Sequence, residues 1–174
     1  VAQHAVEKLL HYGAKPVTLS DSAGFIYDAS GITQEKLDWL KELKNVRRGR
    51  IEEYAQEFGA EYHQGQRPWG ITCDLALPCA TQNELQIEDA KTLANNGCIA
   101  ISEGANMPST NEAVEYFIAA GVNFAPGKAA NAGGVAVSGL EMSQNSARMS
   151  WTEAHLDEML QEIMKDIHNN CVRY

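Results

Sequence analysis

The sequence predicts an α/β fold: a doubly wound, mostly parallel sheet flanked by helices and truncated at both ends. Three observations predict it. Apolar strand-like runs alternate with segments of helical period along the 174 residues. The runs end in small or amide residues, at the positions where open sheets of this class bind ligands. The composition, 44% hydrophobic and 21% charged, is that of a globular chain and excludes a disordered or fibrous one. A chain of this length buries roughly 70% of the surface its unfolded form exposes, so folding requires neither disulfides nor metal.

Residues 1–10 run with helical period, Ala2, Ala5, Val6, Leu9 and Leu10 sharing a face, and Gly13 stops them. No N-cap residue precedes this helix, and Tyr174 closes an amphipathic pattern with no Gly or Pro after it. Both ends therefore read as cuts through helices of a longer protein. Residues 15–20 form the next strand, and residues 24–28 a short extended piece or hairpin arm. Thr33 caps a helix with Leu37, Leu40 and Leu43 on one face. Residues 51–58 form another helix, ended by Gly59. Residues 71–77, closed by Pro78, read as a buried strand. Residues 87–96 form a helix stopped by Gly97, and residues 98–101 the strand after it. Ser109-Thr110-Asn111-Glu112 has the Ser-x-x-Glu form of a capping box. It opens a helix to Ala120, and residues 122–125 form a last strand. Residues 129–139, crowded with Ala, Gly, Val and Ser, make a small-residue helix. Ser150-Trp151-Thr152-Glu153 is a second capping box. Leu156, Leu160, Ile163, Ile167 and Cys171 then recur as one face of a long helix. Strict alternation of helix and strand argues for parallel pairing through right-handed crossovers.

Composition narrows the function classes. A net charge of −9 leaves no general basic surface for phosphate backbones, so no nucleic-acid partner is expected. No apolar run approaches the ~18 residues of a membrane helix. Cys73, Cys79, Cys98 and Cys171 show neither a CxxC pair nor zinc spacing, and read as reduced thiols of a cytoplasmic protein. The five histidines are scattered, and no metal site is expected.

The chemistry-bearing pieces begin with an absence. No two of the fourteen glycines are separated by one residue, so GxGxxG does not occur, and there is no GxxxxGK phosphate loop. Either no nucleotide binds, or the glycine turn lies before Val1. At the tip of the second element stands Ser20-Asp21-Ser22, where an acidic residue takes ribose hydroxyls in dinucleotide-binding folds. Lys44, Arg47, Arg48 and Arg50 follow within seven positions of an acidic chain. A ribose 2′-phosphate requires such cations and hydroxyl donors. The alternative is a solvated basic patch at a helix end. Asn106 and Asn131 stand near later strand ends and supply the donor and acceptor a carboxamide needs, or are turn residues. Val135 and Ser138, three apart on one helix face, offer an apolar wall and a hydroxyl to a small acid, or serve close helix packing. Cys79, with no base nearby in the sequence, reads as a buried thiol rather than a nucleophile.

Four stretches carry a resemblance. They are the run from Thr18 to Gly24, Leu77-Pro78-Cys79-Ala80-Thr81-Gln82-Asn83-Glu84, Glu103-Gly104-Ala105-Asn106-Met107-Pro108, and the run from Pro126 through Asn131, Gly134 and Ser138 to Asn145. In that order they resemble the hexameric, NADP-specific glutamate dehydrogenases of bacteria, along the whole chain. The resemblance implies two parts. Residues 1–127 would be an NADP-binding, Rossmann-like domain lacking its first strand and glycine turn. Residues 128–174 would be the substrate-contact helix and the long helix leading back toward a substrate domain.

Carried over residue by residue, the resemblance gives Asp21 and Ser22 to the ribose and 2′-phosphate loop, and Lys44, Arg47 and Arg50 to the phosphate itself. Arg48 stands where the family often has a polar or acidic residue. Ala80 and Thr81 match the wall beside the cofactor, Asn106 and Asn131 the nicotinamide contacts, and Val135 and Ser138 the substrate contacts. No catalytic residue falls in this segment, and Lys128 lies in the wrong domain to be the family's catalytic lysine. The implied reaction converts 2-oxoglutarate, ammonium and NADPH reversibly to L-glutamate and NADP, in a hexamer when full length. The segment alone is expected to show no turnover. An NAD-linked or dual-specificity relative and a non-catalytic nucleotide-binding or regulatory module stand as alternatives.

Overall fold

A computed structural model describes residues 1–173; Tyr174, the last residue of the expected long helix, lies outside the described residues. The first helix, α1 (Ala2–His11), buries Val6 and leads into β1 (Thr18–Asp21). There the structure departs from strict alternation. Ser22 and Ala23 turn the chain directly into β2 (Gly24–Tyr27), which pairs antiparallel with β1, Leu19 opposite Ile26. The turn is locked by Asp21, whose Oδ1 accepts the Ala23 N–H at 2.9 Å. A two-residue link admits only antiparallel pairing, because a parallel crossover needs a dozen residues or more.

Helix α2 (Gln34–Glu42) is capped as expected, Thr33 Oγ1 accepting from Lys36 N. It runs into a π-turn over Leu43–Arg47, and α3 (Glu52–Phe58) follows. Strand β3 (Glu61–Gln64) then pairs antiparallel with β2. β4 (Leu75–Ala76), α4 (Ile87–Asn95), β5 (Ala100–Ser102), α5 (Asn111–Ala119) and β6 (Asn123–Ala125) come next. β4, β5 and β6 pair in parallel and in sequence order. The chain ends in a short α6 (Gly127–Ala130), α7 (Gly133–Ala147) and α8 (Glu153–Arg173).

The single mostly parallel sheet is therefore corrected. Among the described residues there are two three-stranded sheets, one antiparallel and one parallel, each with its own core. The first core gathers Ile26, Leu37, Leu43 and Tyr54; the second gathers Leu85, Leu93, Ile101 and Phe117. Each such side chain contributes roughly 1.5–3 kcal/mol on burial. β1 and β4 are the facing edges of the two sheets. Between them lies a cavity of about 1020 Å³, lined by Val17 and Leu19 on one side, Leu75 and Leu77 on the other, and Val6 and Leu9 of α1.

Both capping readings shift. Thr110, not Ser109, caps α5: its Oγ1 accepts from Ala113 N at 3.3 Å. Ser109 is held in an extended bridge to Leu85, and its N–H donates to Glu103 Oε1. Likewise Thr152 rather than Ser150 accepts from the first turn of α8, at His155 N.

Candidate functional site

Ser22, Ala80, Thr81 and Asn106, four of the side chains expected to bind a ligand, lie on the loops after β1, β4 and β5. The first residue before α1 reaches the same end of the parallel sheet. At Gly104 an added Cβ would stand 2.5 Å from Cys79 Sγ and 3.2 Å from Val1 Cγ1, so no side chain fits there. Gly104 N and Ala105 N both donate to Pro78 O, at 2.9 and 3.1 Å, tying the loop after β5 to the end of β4. Helix α1 thus presents its N-terminal N–H groups, which favour anions, toward the carboxyl ends of β4 and β5.

The structure brings Asp21, Ser22, Lys44 and Arg50 together. Asp21 Oδ2 accepts from Lys44 Nζ at 2.9 Å and from Ile51 N at 3.0 Å. Burial pushes the Asp21 carboxyl upward, but Lys44 and the N–H groups of Ala23 and Ile51 outweigh it and hold it below the usual carboxylate range. Arg50 Nη1 donates to Ser22 Oγ at 2.9 Å, across 28 residues of sequence. The π-turn makes this closure: Arg48 ends it in the left-handed region, and Gly49 N donates to Leu43 O. A Cβ on Gly49 would sit 2.3 Å from Leu43 Cδ1 and 2.4 Å from Glu53 Oε1, so any side chain there would have to push both aside. π-turns of this kind are frequent at functional sites.

Arg47 is placed differently. Its guanidinium lies 4.6 Å over the Trp39 ring and 3.7 Å from Glu42 Oε1, on the flank of α2. The uncharged positions sit on the neighbouring loops. Ala80 and Thr81 are exposed on the loop after β4, and Asn106 is exposed after β5. Asn131 Nδ2 donates to Ala105 O at 2.8 Å, which leaves its Oδ1 to accept from a ligand. Val135 and Ser138 are both exposed on α7.

Two buried carboxylates that shape the site were not singled out from the sequence. Glu84 Oε1 accepts from Ala80 N at 2.8 Å and fixes the loop after β4. Glu103 ties its own loop to the start of α6, accepting from Ser109 N at 3.2 Å and from Gly127 N at 2.8 Å. Glu103 carried a signal, a charged residue at the close of an apolar run, where burial needs such partners; Glu84, after Thr81-Gln82-Asn83, carried none. Burial pushes the Cys79 thiol up, in keeping with a structural thiol rather than a nucleophile. Among the described residues no group of three or more His, Cys, Asp or Glu forms a metal-binding set, and no helix is long and apolar enough to cross a membrane.

Comparison with known proteins bears on what binds here. A family model described as Glutamate/Leucine/Phenylalanine/Valine dehydrogenase matches residues 1–174. The chain is 58% identical over 174 residues to an NAD(P)-specific glutamate dehydrogenase of Xylanibacter ruminicola, and 57% identical over 174 residues to an NADP-specific glutamate dehydrogenase of Haemophilus influenzae. It is covered completely in both cases and spans 39% of each relative's length. The crystal structure of Plasmodium falciparum glutamate dehydrogenase superposes on all of this chain, and on 38% of its own, with a TM-score of 0.94 at 49% identity.

Proposed function

The chain belongs to the Glutamate/Leucine/Phenylalanine/Valine dehydrogenase family, and from that premise we propose that it is the coenzyme-binding part of an NADP-dependent glutamate dehydrogenase. The whole enzyme would interconvert 2-oxoglutarate, ammonium, NADPH and a proton with L-glutamate, water and NADP, as a hexamer. Bound NADPH supplies the hydride for this reaction. The residues of this chain bind and orient.

The residues present suit an adenosine 2′-phosphate. Arg50 and the Ser22 hydroxyl offer charged and neutral donors side by side, and Asp21 remains ionised to accept from a ribose hydroxyl. Lys44 offsets the Asp21 charge that would otherwise repel the phosphate. Arg47 borders this group from α2. Ala80 and Thr81 wall the coenzyme, Asn106 and Asn131 take the nicotinamide carboxamide, and Val135 with Ser138 of α7 meets the substrate. Residues 1–127 then form the coenzyme domain, and residues 128–174 lead toward the substrate domain. Two strand edges facing one cavity is the arrangement a further parallel strand would complete, joining both sheets into the doubly wound one.

The Arg50–Ser22 contact beside the Asp21–Lys44 pair carries this reading. Arg50→Ala in the full-length enzyme tests it. One charge-assisted bond is worth about 1.5–3 kcal/mol, roughly 10- to 100-fold in affinity. The KM for NADPH is expected to rise by about that factor while the KM for NADH stays within about twofold. An equal rise for both coenzymes overturns the reading.

A second reading, dual coenzyme specificity, has its own support. Lys44 is committed to Asp21 and Gly49 O, and Arg47 to Trp39 and Glu42, so the phosphate would rest chiefly on Arg50. The same assay reads it: a parent enzyme with similar KM for both coenzymes favours this form.

A further inference from the structure

We propose that Tyr62 of β3 is a positioning residue for the adenosine 2′-phosphate, its hydroxyl fixing the turn that presents Ser22. The inference rests on the proposed function and extends it to a strand with no other part in the site. Ser22 and Ala23 form the two-residue link between β1 and β2, and Ser22 is exposed there. A serine on an exposed link aims its hydroxyl at a ligand only if its neighbours are held. A loose link would have to be ordered each time the ligand binds, at a cost in affinity.

The neighbours are held on both sides. Asp21 Oδ2 accepts from Lys44 Nζ and Ile51 N, and Asp21 Oδ1 accepts from Ala23 N. The Ala23 carbonyl accepts twice, from Gly65 N at 2.8 Å and from Tyr62 Oη at 3.1 Å. A carbonyl has two lone pairs, and both are taken here. One hydrogen bond leaves the Ala23 peptide plane free to swing about it; a second donor removes that freedom. The Gly65 bond comes from the backbone just beyond the last β2–β3 pair, Gly24 with Gln64. The Tyr62 bond depends on a side chain.

The antiparallel sheet delivers that side chain. Tyr62 pairs with Ile26, and its half-buried ring packs on the first core while its hydroxyl reaches back to Ala23. A Cβ on Gly24 would stand 2.4 Å from His63 O, so the two strands close tightly at the base of the turn. Partial burial, then the carboxylates of Glu52 and Asp21, push the Tyr62 hydroxyl up, against the opposing charge of Arg50. The hydroxyl therefore keeps its proton and donates, and it brings no negative charge toward the phosphate. Arg50 Nη1 donates to Ser22 Oγ at 2.9 Å, so a displaced Ser22 would lose the guanidinium beside it as well.

Calorimetric titration of the full-length enzyme with 2′,5′-ADP and with 5′-AMP tests this in the parent, Tyr62→Phe, Ser22→Ala and the double variant. Tyr62→Phe keeps the ring and removes only the donor. Its Kd for 2′,5′-ADP is expected to rise about 3- to 10-fold, with 5′-AMP within about twofold of the parent. In the Ser22→Ala background the same substitution should add less than about twofold, because Tyr62 acts through Ser22. Tyr62→Met, apolar and without the hydroxyl, should repeat the split between the two nucleotides, and thermal unfolding reports that each variant is folded. An unchanged Kd for 2′,5′-ADP, equal weakening of both nucleotides, or the full loss again on top of Ser22→Ala would each overturn the proposal. Equal affinity of the parent for the two nucleotides would overturn the proposed function itself, and this inference with it.

Discussion

Asp28 shows what a single buried carboxylate does in this chain. Asp28 is 4% exposed and accepts from Lys36 Nζ at 2.6 Å, Ser30 Oγ at 2.6 Å and Tyr54 Oη at 2.8 Å. Burial pushes its carboxyl up, yet these three donors outweigh burial and hold it below the usual range. Its folded pKa thus lies below the unfolded value of about 3.9, so its stabilisation is present above that pH and fades as pH falls through the folded pKa. The protein should lose stability below about pH 4. Asp28→Asn should lower stability by roughly 1.5–3 kcal/mol at neutral pH and flatten this acid limb, read by urea unfolding from pH 2 to 7. Parallel acid limbs in variant and parent would contradict this. Asp21 and Arg50 were legible from the sequence because charge placed at a strand tip and after a helix is a local signal. The rest position of Arg47 was not, since its contact with Trp39 depends on how the π-turn swings the chain.

At the scale of elements, helices were the legible part. Their apolar period survives in α1, α2, α3, α4 and α5, and the Gly stops after α1, α3 and α4, because both signals act within a few residues. Caps are decided by tertiary pairing. Ser109 fits a capping box on paper, but its bridge to Leu85 draws it into extended backbone and Thr110 takes the role. Thr110→Ala should therefore cost about 1 kcal/mol. Ser109→Ala should cost less than about 0.5 kcal/mol, because its hydroxyl has no partner here and its N–H remains. Thermal unfolding of the two variants decides it, and the reverse order would restore Ser109 as the cap. Strand β3 was invisible because Glu61-Tyr62-His63-Gln64 has no apolar run. It is specified by its partner β2, with His63 stacked 4.5 Å from Phe25.

Across the whole molecule, the sequence pattern implied one sheet and the described residues form two. The break lies between the facing edges of β1 and β4, while at β1 a two-residue turn replaces a crossover and sends β2 back antiparallel. No periodicity reports strand direction; only the length of the link does, and that link is two residues. The parallel half kept its predicted order because α4 and α5 supply the crossovers between β4, β5 and β6. The loops after β1, β4, β5 and β6 form the frame of the candidate site, and most of those loops were readable as clusters of small and amide residues. The carboxylates of Glu84 and Glu103 that fix the loops were not: Glu84 accepts within its own loop, from Ala80 N, and Glu103 from Gly127 N, 24 residues on.

On the proposed function, an adenosine 2′-phosphate would rest over Ser22 and Arg50 in the full-length enzyme. Calorimetric titration with 2′,5′-ADP and with 5′-AMP isolates that phosphate from the rest of the coenzyme. Tighter binding of 2′,5′-ADP by about tenfold or more, with the difference abolished in Arg50→Ala, is the predicted result. Equal affinity for the two nucleotides in the parent enzyme, or a preference untouched by the substitution, would contradict it.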